Sequence, residues 1–429
     1  MAATIPTTDL ELTTAEGGIA PYPAILGIAE LGPVVYHEPS SSYVVTTYYD
    51  CARVLGDARS FRQPAVMYET LFGAPTMTSV EGKRHKELRS IWSSAFTRAE
   101  VRSRCEGMVE EAVRRRVDDV CRRVAAGEQV EVVRNLTRQI PSDVIAEMTG
   151  VPREDKSDFI RWSDQLVAIF ESEAATGERK AELQMHGAQG VASLNDYVAG
   201  RLRSGAHDDA PDLIGDMVRS DVSMSVEEMV ASVSLLVFGG NDTSSNLMAT
   251  TLWALGRHPE QWELLKQDRS LVPHAIEEVN RWWSVGQTNW RVADEGAEVA
   301  GVSIPAGSTV LCLVGAANRD PSRWDDPHKF DITREYLRNL GFGSGSHMCL
   351  GKSLAQLEIE TWLNNMLDGL PRWRVARADW NAPFGTPLGP AALVIEADPG
   401  GRWRGDVCGD GRGVNEHRPV SGMRGDRGE

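Results

Sequence analysis

Apolar positions near the start of the chain come in short β-rich runs. Val34 and Val35, then Tyr43, Val44 and Val45, flank the turn-like stretch Glu38-Pro39-Ser40-Ser41-Ser42, a pattern that predicts short strands followed by a helix before residue 60. From Thr97 to Arg123 the period lengthens, with Val101, Cys105, Met108, Val109, Val113, Val117 and Val120 near helical spacing. Further helices are predicted over about 140–150, 155–172, 179–203 and 210–219. The longest covers 226–257: Ser225 with Glu228 forms a capping-box signature, and Gly256 with Pro259 marks the exit. A short helix follows Pro273 and ends near Trp283. Residues 291–314 alternate strands and turns, around an Ile304-Pro305-Ala306-Gly307 turn and a Ser308–Val314 strand. A last helix leaves the glycine-rich stretch 341–351 and runs to about Leu370. The predicted fold class is mainly α with a smaller β-rich part. Residues 399–429, rich in glycine and arginine and lacking periodic apolar content, read as a disordered tail without assigned function.

Composition narrows the classes. A length of 429 residues would suggest about three domains at ~150 residues each, yet no linker divides residues 1–398, and one large domain is expected there. Hydrophobic residues make 41% and charged residues 25%, an ordinary globular balance that excludes a largely disordered chain. No run of eighteen apolar residues is present, which argues against a membrane-spanning helix, and the N-terminus lacks a secretory pattern. A cytoplasmic location is expected. The net charge of -16 argues against a nucleic-acid binder. The six cysteines form no C-x-x-C, so neither a disulfide framework nor a zinc knuckle is indicated.

One cysteine stands out by its surroundings. In Gly341-Phe342-Gly343-Ser344-Gly345-Ser346-His347-Met348-Cys349-Leu350-Gly351, the glycines allow positive φ and close approach to a flat ligand. The helix that follows would aim its first amides at the sulfur, lowering the thiol pKa and favouring thiolate. A thiolate among backbone donors, beside an aromatic ring, suits a donating axial ligand to iron. A dinucleotide loop fits less well, because Met348 stands where G-x-G-x-x-G needs its third glycine; an ordinary glycine-rich turn is the remaining alternative. A second oddity is Gly239-Gly240-Asn241-Asp242-Thr243 inside the longest helix, since mid-helix glycine costs about 1 kcal/mol relative to alanine. Leu235, Gly239 and Thr243 share one face with Phe238 beside them, which makes a small polar notch in an apolar wall. A close helix crossing at the glycines, with Thr243 bonding back to a carbonyl and Asp242 in solvent, explains the same residues.

The cysteine loop resembles the haem-binding signature of the cytochrome P-450 superfamily, and the resemblance extends over roughly residues 20–398. It implies that fold, with haem b as cofactor and Cys349 as the proximal iron ligand. Phe342 would pack beside the sulfur. His347, the pair His85 and Arg89 in Arg84-His85-Lys86-Glu87-Leu88-Arg89, and Arg291 would reach the haem propionates. Thr243 would hydrogen-bond dioxygen and order water, and Asp242 would relay protons. Glu278 and Arg281 would form the family's structural pair, whereas the same E-x-x-R spacing at Glu81/Arg84, Glu111/Arg114, Glu131/Arg134 and Glu335/Arg338 reads as solvated pairing worth well under 1 kcal/mol. Asn339 departs from the histidine of many bacterial relatives and puts that local contact in doubt.

Family topology further implies a mostly apolar substrate pocket from Ala65–Phe72, parts of 165–190, Leu235, Phe238, Val285–Asn289 and Phe384–Thr386, with Gln287, Thr288, Asn289 and Thr386 as polar handles. A terpenoid, steroid or polyketide, as in secondary metabolism, would suit it. The chain carries no flavin or nicotinamide fingerprint, so electrons would come from a ferredoxin and ferredoxin reductase. Arg84, Lys86, Arg98, Arg102, Arg104, Arg114, Arg115, Arg116 and Lys352 could form a basic docking face. The expected activity is monooxygenation: one atom of dioxygen enters a C–H bond and the other leaves as water. The alternatives are a peroxide-driven or non-hydroxylating family member, and a haem-thiolate binding protein without turnover.

Overall fold

The structure, a computed structural model, describes residues 5–10, 22–152, 154–173, 177–380 and 387–398. Tail residues 399–429, together with Phe384 and Thr386, lie outside the described residues. The chain begins with β1 (Thr7–Thr8), α1 (Tyr22–Leu31), β2 (Val34–His37), β3 (Ser42–Val45), α2 (Tyr48–Gly56), β4 (Phe61–Arg62), α3 (Ala65–Phe72), α4 (Gly82–Ser93) and α5 (Arg98–Ala125). After β5 (Val130–Glu131) and a π-helical turn come α6 (Gln139–Met148), α7 (Lys156–Glu173), α8 (Gly177–Arg203), α9 (Leu213–Val218) and α10 (Val226–Arg257). Next are α11 (Pro259–Gln267), α12 (Val272–Trp282), β6 (Asn289–Ala293), β7 (Ala297–Val299), β8 (Val302–Ile304), β9 (Thr309–Cys312) and α13 (Val314–Ala317). The last elements are α14 (Lys352–Gly369), β10 (Trp373–Trp380) and β11 (Pro390–Ala397).

The architecture is mainly helical around α10. That helix starts where the capping box predicts: the Ser225 hydroxyl accepts from the Glu228 amide while the Glu228 carboxylate accepts from the Ser225 amide. It is buried on nearly every side, as an apolar helix in the middle of a large core should be. The α5 helix starts where its pattern predicts, N-capped by Thr97, and packs its valine stripe on α14.

The early and late β-rich runs meet in one six-stranded sheet, in the order β1-β2-β3-β9-β6-β4. Within it β3 pairs parallel with β9, matching Val44 to Leu311 and Val45 to Cys312, so residues far apart in the chain share a core with Val34, Val54 and Phe61. A second sheet orders β10-β11-β5. Two boundaries differ from expectation. The helix predicted over 210–219 is only α9, because Asp212 caps it by accepting from the Gly215 amide. The strand predicted to reach Val314 ends at Cys312, where the chain turns into α13. Among the described residues no helix is long and apolar enough to cross a membrane.

Candidate active site at the cysteine loop

The loop before α14 is closed by its own backbone. The Cys349 amide donates to the Phe342 carbonyl at 2.9 Å and the Gly343 amide to Leu340 at 2.8 Å. Gly343 and Gly345 take φ of +73° and +70°, which a side chain would disfavour. A Cβ on Gly345 would also lie 2.6 Å from the Leu55 carbonyl oxygen, so this glycine lets the loop press onto α2. The Lys352 ammonium stands 5.1 Å from the centre of the Phe342 ring.

Of the described cysteines, Cys51, Cys105, Cys121 and Cys312 are buried, whereas Cys349 keeps accessible surface. Desolvation by the surrounding loop nevertheless pushes the thiol pKa up. The amides of Gly351 and Lys352 and the charges of Arg89 and Lys352 pull it down, the direction expected of a helix N-terminus. Desolvation outweighs them, so without a bound group the net shift is upward and not the lowering expected from the helix N-terminus.

On α10 the two glycines do different things. A Cβ on Gly240 would come 3.1 Å from Ile145 of α6, so this glycine serves a helix crossing. A Cβ on Gly239 would meet nothing within 4 Å. Gly239 and Thr243 are exposed on a helix whose flanks are buried, and this is the notch expected from their shared face. The Thr243 hydroxyl donates back to the Gly239 carbonyl at 2.9 Å. Asp242 is not in solvent: it is buried, lies 3.5 Å from Arg138 and accepts from the Asn246 amide at 3.0 Å.

The four positions assigned to the propionates gather around the loop. His85 Nδ1 bonds to the Met77 carbonyl and Nε2 to that of Ser346, and its ring centre lies 4.1 Å from that of His347. Arg89 donates to the Met348 carbonyl at 2.6 Å. Arg291 is buried and donates to the Trp290 carbonyl at 2.7 Å and to Gln63 Oε1 at 3.3 Å. Burial lowers the pKa of both guanidiniums, and neither forms an ion pair among the described residues. A half-buried Arg89 and a buried Arg291, with only the Glu81 carboxylate acting on Arg291 from a distance, leave room for a further anion. Two propionates, a flat ring against side-chain-free Gly239 and an accessible thiol therefore fit the residues present.

Glu278 and Arg281 are fully buried, bonded at 2.7 and 2.9 Å. Arg281 spends its other donors on the carbonyls of Asn318, Pro327 and Lys329, which ties α12 to the segment leading to the loop. The four other E-x-x-R spacings do not close as ion pairs. Glu81 turns to His347, Arg84 reaches Glu228 at 2.6 Å, and Glu131 accepts from the amides of Val133 and Arg134. Asn339 makes good its departure: it donates to Glu277 Oε2 at 2.8 Å and accepts from the Gly341 amide at 2.8 Å.

Around the expected pocket, Phe72 of α3 and Phe238 of α10 meet edge to face at 6.0 Å. Leu235 and Val285 are buried, Thr288 is half-buried, and the Val285 carbonyl accepts from the Leu388 amide at 2.7 Å. Gln287 is buried: its side-chain nitrogen donates to Tyr22 Oη at 3.2 Å, while among the described residues its Oε1 has no hydrogen-bond partner. The basic face is also narrower than expected. Arg102, Arg104, Arg115, Arg116 and Lys352 pair with acids, as Arg84 does, leaving Lys86, Arg98 and Arg114 exposed and outside any ion pair among the described residues.

Two acids of this region escape sequence reasoning. Glu81 accepts from His347 Nε2 at 2.8 Å and from the Gln63 amide at 2.9 Å. Burial opposes its ionisation, but those bonds and the nearby Arg291 outweigh burial and hold its pKa below the usual range. Glu358 of α14 is buried beside Ser244, and among the described residues neither carboxylate oxygen has a hydrogen-bond partner. Desolvation raises its pKa to about 8.

Comparison with known proteins agrees with this reading. A family model described as Cytochrome P450 matches residues 29–370. The Steroid C26-monooxygenase of Mycobacterium tuberculosis (strain CDC 1551 / Oshkosh) is 32% identical over 323 residues, 75% of this chain and 83% of that protein. The 6-deoxyerythronolide B hydroxylase of Saccharopolyspora erythraea is 30% identical over 354 residues, 77% and 83% of the two chains. Among solved structures, P450BioI in complex with a hexadec-9Z-enoic acid-ligated acyl carrier protein superposes with a TM-score of 0.80 at 28% identity, covering 88% of this chain and 98% of that one. A family match over most of the sequence, sustained by relatives that are themselves hydroxylating enzymes, means that the chain belongs to the cytochrome P450 family, as a monooxygenase that binds haem b through a cysteine thiolate.

Proposed function

We propose that the enzyme hydroxylates a hydrophobic small molecule of terpenoid, steroid or polyketide kind, in the cytoplasm, with electrons delivered by a separate ferredoxin and its reductase. The observation that carries the reading is the accessible Cys349 set in a closed loop, together with the open notch at Gly239 and Thr243. When bound, haem supplies the activation of dioxygen, of which one atom enters a C–H bond and the other leaves as water.

The chain's own residues supply the rest. Cys349 would ligate the iron, and Arg89, Arg291 and His347 would take the propionates; His85, whose ring nitrogens both meet backbone carbonyls here, would have to release that of Ser346 to join them. Thr243, on the exposed face of α10, holds oxygen and a water in place. Asp242, tethered to Arg138 and Asn246, moves protons toward it, as general acid catalysis requires. The apolar contacts of Leu235, Phe238, Phe72 and Val285 exclude water from the substrate. The steroid and 6-deoxyerythronolide names of two relatives support the substrate class. Exposed Lys86, Arg98 and Arg114 are the charges left to steer an acidic electron donor.

The test is the carbon-monoxide difference spectrum of the reduced protein. A strongly red-shifted Soret band, lost in Cys349→Ser, is the expected result. A band typical of a neutral ligand, or no haem in well-folded protein, would overturn the reading. Ferredoxin dependence is checked by NADPH consumption coupled to product in the presence of the redox partners.

A further inference from the structure

The acid at the start of α4 is oddly used. Glu81 is the N-cap residue of that helix, and its carbonyl already accepts from the His85 amide. Its side chain makes no capping bond, although an acid there would normally satisfy the free amides of the first turn. Gly82 follows with φ +61° and leaves a capping geometry that a side chain would disfavour. The carboxylate instead spans to two other segments. One oxygen accepts from His347 Nε2 at 2.8 Å, and the other accepts from the Gln63 amide at 2.9 Å. The Gln63 side chain in turn accepts from Arg291 at 3.3 Å. His85, four residues along the same helix, has its ring 4.1 Å from that of His347.

Two of the four positions assigned to the propionates, His347 and Arg291, thus connect through one carboxylate, which lies among groups assigned to bind anions. A negative charge there opposes a propionate directly, so its presence needs a compensating gain. That gain is orientation. With Nε2 of His347 committed to Glu81, the other ring nitrogen is the one left for a propionate, just as a carboxylate behind a metal-bound histidine fixes the ring in metal sites.

We propose that Glu81 is a positioning residue for the prosthetic group, holding His347 directly and Arg291 through Gln63 as one preset clamp for the haem propionates. The inference rests on the haem-thiolate reading above and adds to it a residue that touches neither iron nor substrate.

The experiment compares wild-type holoenzyme with Glu81→Ala and Glu81→Gln. Gln keeps the shape and one acceptor oxygen; Ala keeps neither. Haem transfer to excess apomyoglobin should be roughly tenfold faster from Glu81→Ala, the lower end for loss of an outer-shell partner, and close to wild type from Glu81→Gln. The propionate-bending band in resonance Raman should move in Glu81→Ala and stay in Glu81→Gln, a signature that general loosening would not give. Unchanged transfer from Glu81→Ala, or equally fast transfer from both variants, would overturn the proposal. The carbon-monoxide band of the same samples reports the thiolate separately, so failure of the ligand assignment is distinguishable from failure of the clamp.

Discussion

Single side chains divide into those the sequence announces and those only the packing reveals. Cys349 and His347 stand in a spacing dense enough to be read directly, and Gly239 with Thr243 follow from helical phase. Glu81 was hidden by Arg84 three residues on, a ready-made surface pair that the structure does not form. Glu358 was hidden because an acid in a helix normally faces water, whereas here α14 turns it toward Ser244 of α10. Its pKa of about 8 against an ordinary 4.5 has a sign that can be tested. Between those values the native protein keeps a proton that the unfolded chain has lost, so stability falls as pH rises through the window. Glu358→Gln should remove that fall, gaining on the order of a few kcal/mol at pH 8 and nothing near pH 4. Urea unfolding at both pH values checks it; parallel pH dependence in the two proteins would refute it.

At the level of elements, period located α5 closely, and the Ser225 capping box and the glycine loop before Lys352 located α10 and α14, because each helix is long. The short pieces were harder. Pro259 reads as a stop for α10, and it is also the first residue of α11. The strand β10 carries charges on both faces and pairs with β11 through two register shifts, so its alternation is broken. The paired glycines of α10 were legible as one anomaly but have two causes, and substitution should separate them. Gly239→Ala meets open space and should raise helix stability by about 1 kcal/mol while shifting the Soret band or weakening substrate binding. Gly240→Val must displace Ile145 and should cost about 1–3 kcal/mol without that spectral effect. Thermal melts read beside optical titrations decide between them; equal effects at both positions would mean that the notch is only a crossing.

For the molecule as a whole, the early and late strands join in one sheet, and the path from α12 to the cysteine loop is pinned by Arg281. All of that guanidinium's hydrogen bonds go to Glu278 or to three carbonyls of one segment. Lysine cannot reproduce that fork. Arg281→Lys should therefore destabilise the fold by roughly 3–5 kcal/mol, the range for a broken buried pair, and lower haem content with it; a variant that melts and loads like wild type would show the pair to be dispensable. The unmatched guanidiniums of Arg89 and Arg291 have a consequence for synthesis in the cell. A chain that completes the charge balance around these guanidiniums with its prosthetic group gains stability by mass action from the supply of that group. When translation outruns porphyrin production, the excess chains would be the ones that proteases clear first, so the cell's iron and porphyrin status would set the amount of enzyme that persists as well as the amount that works.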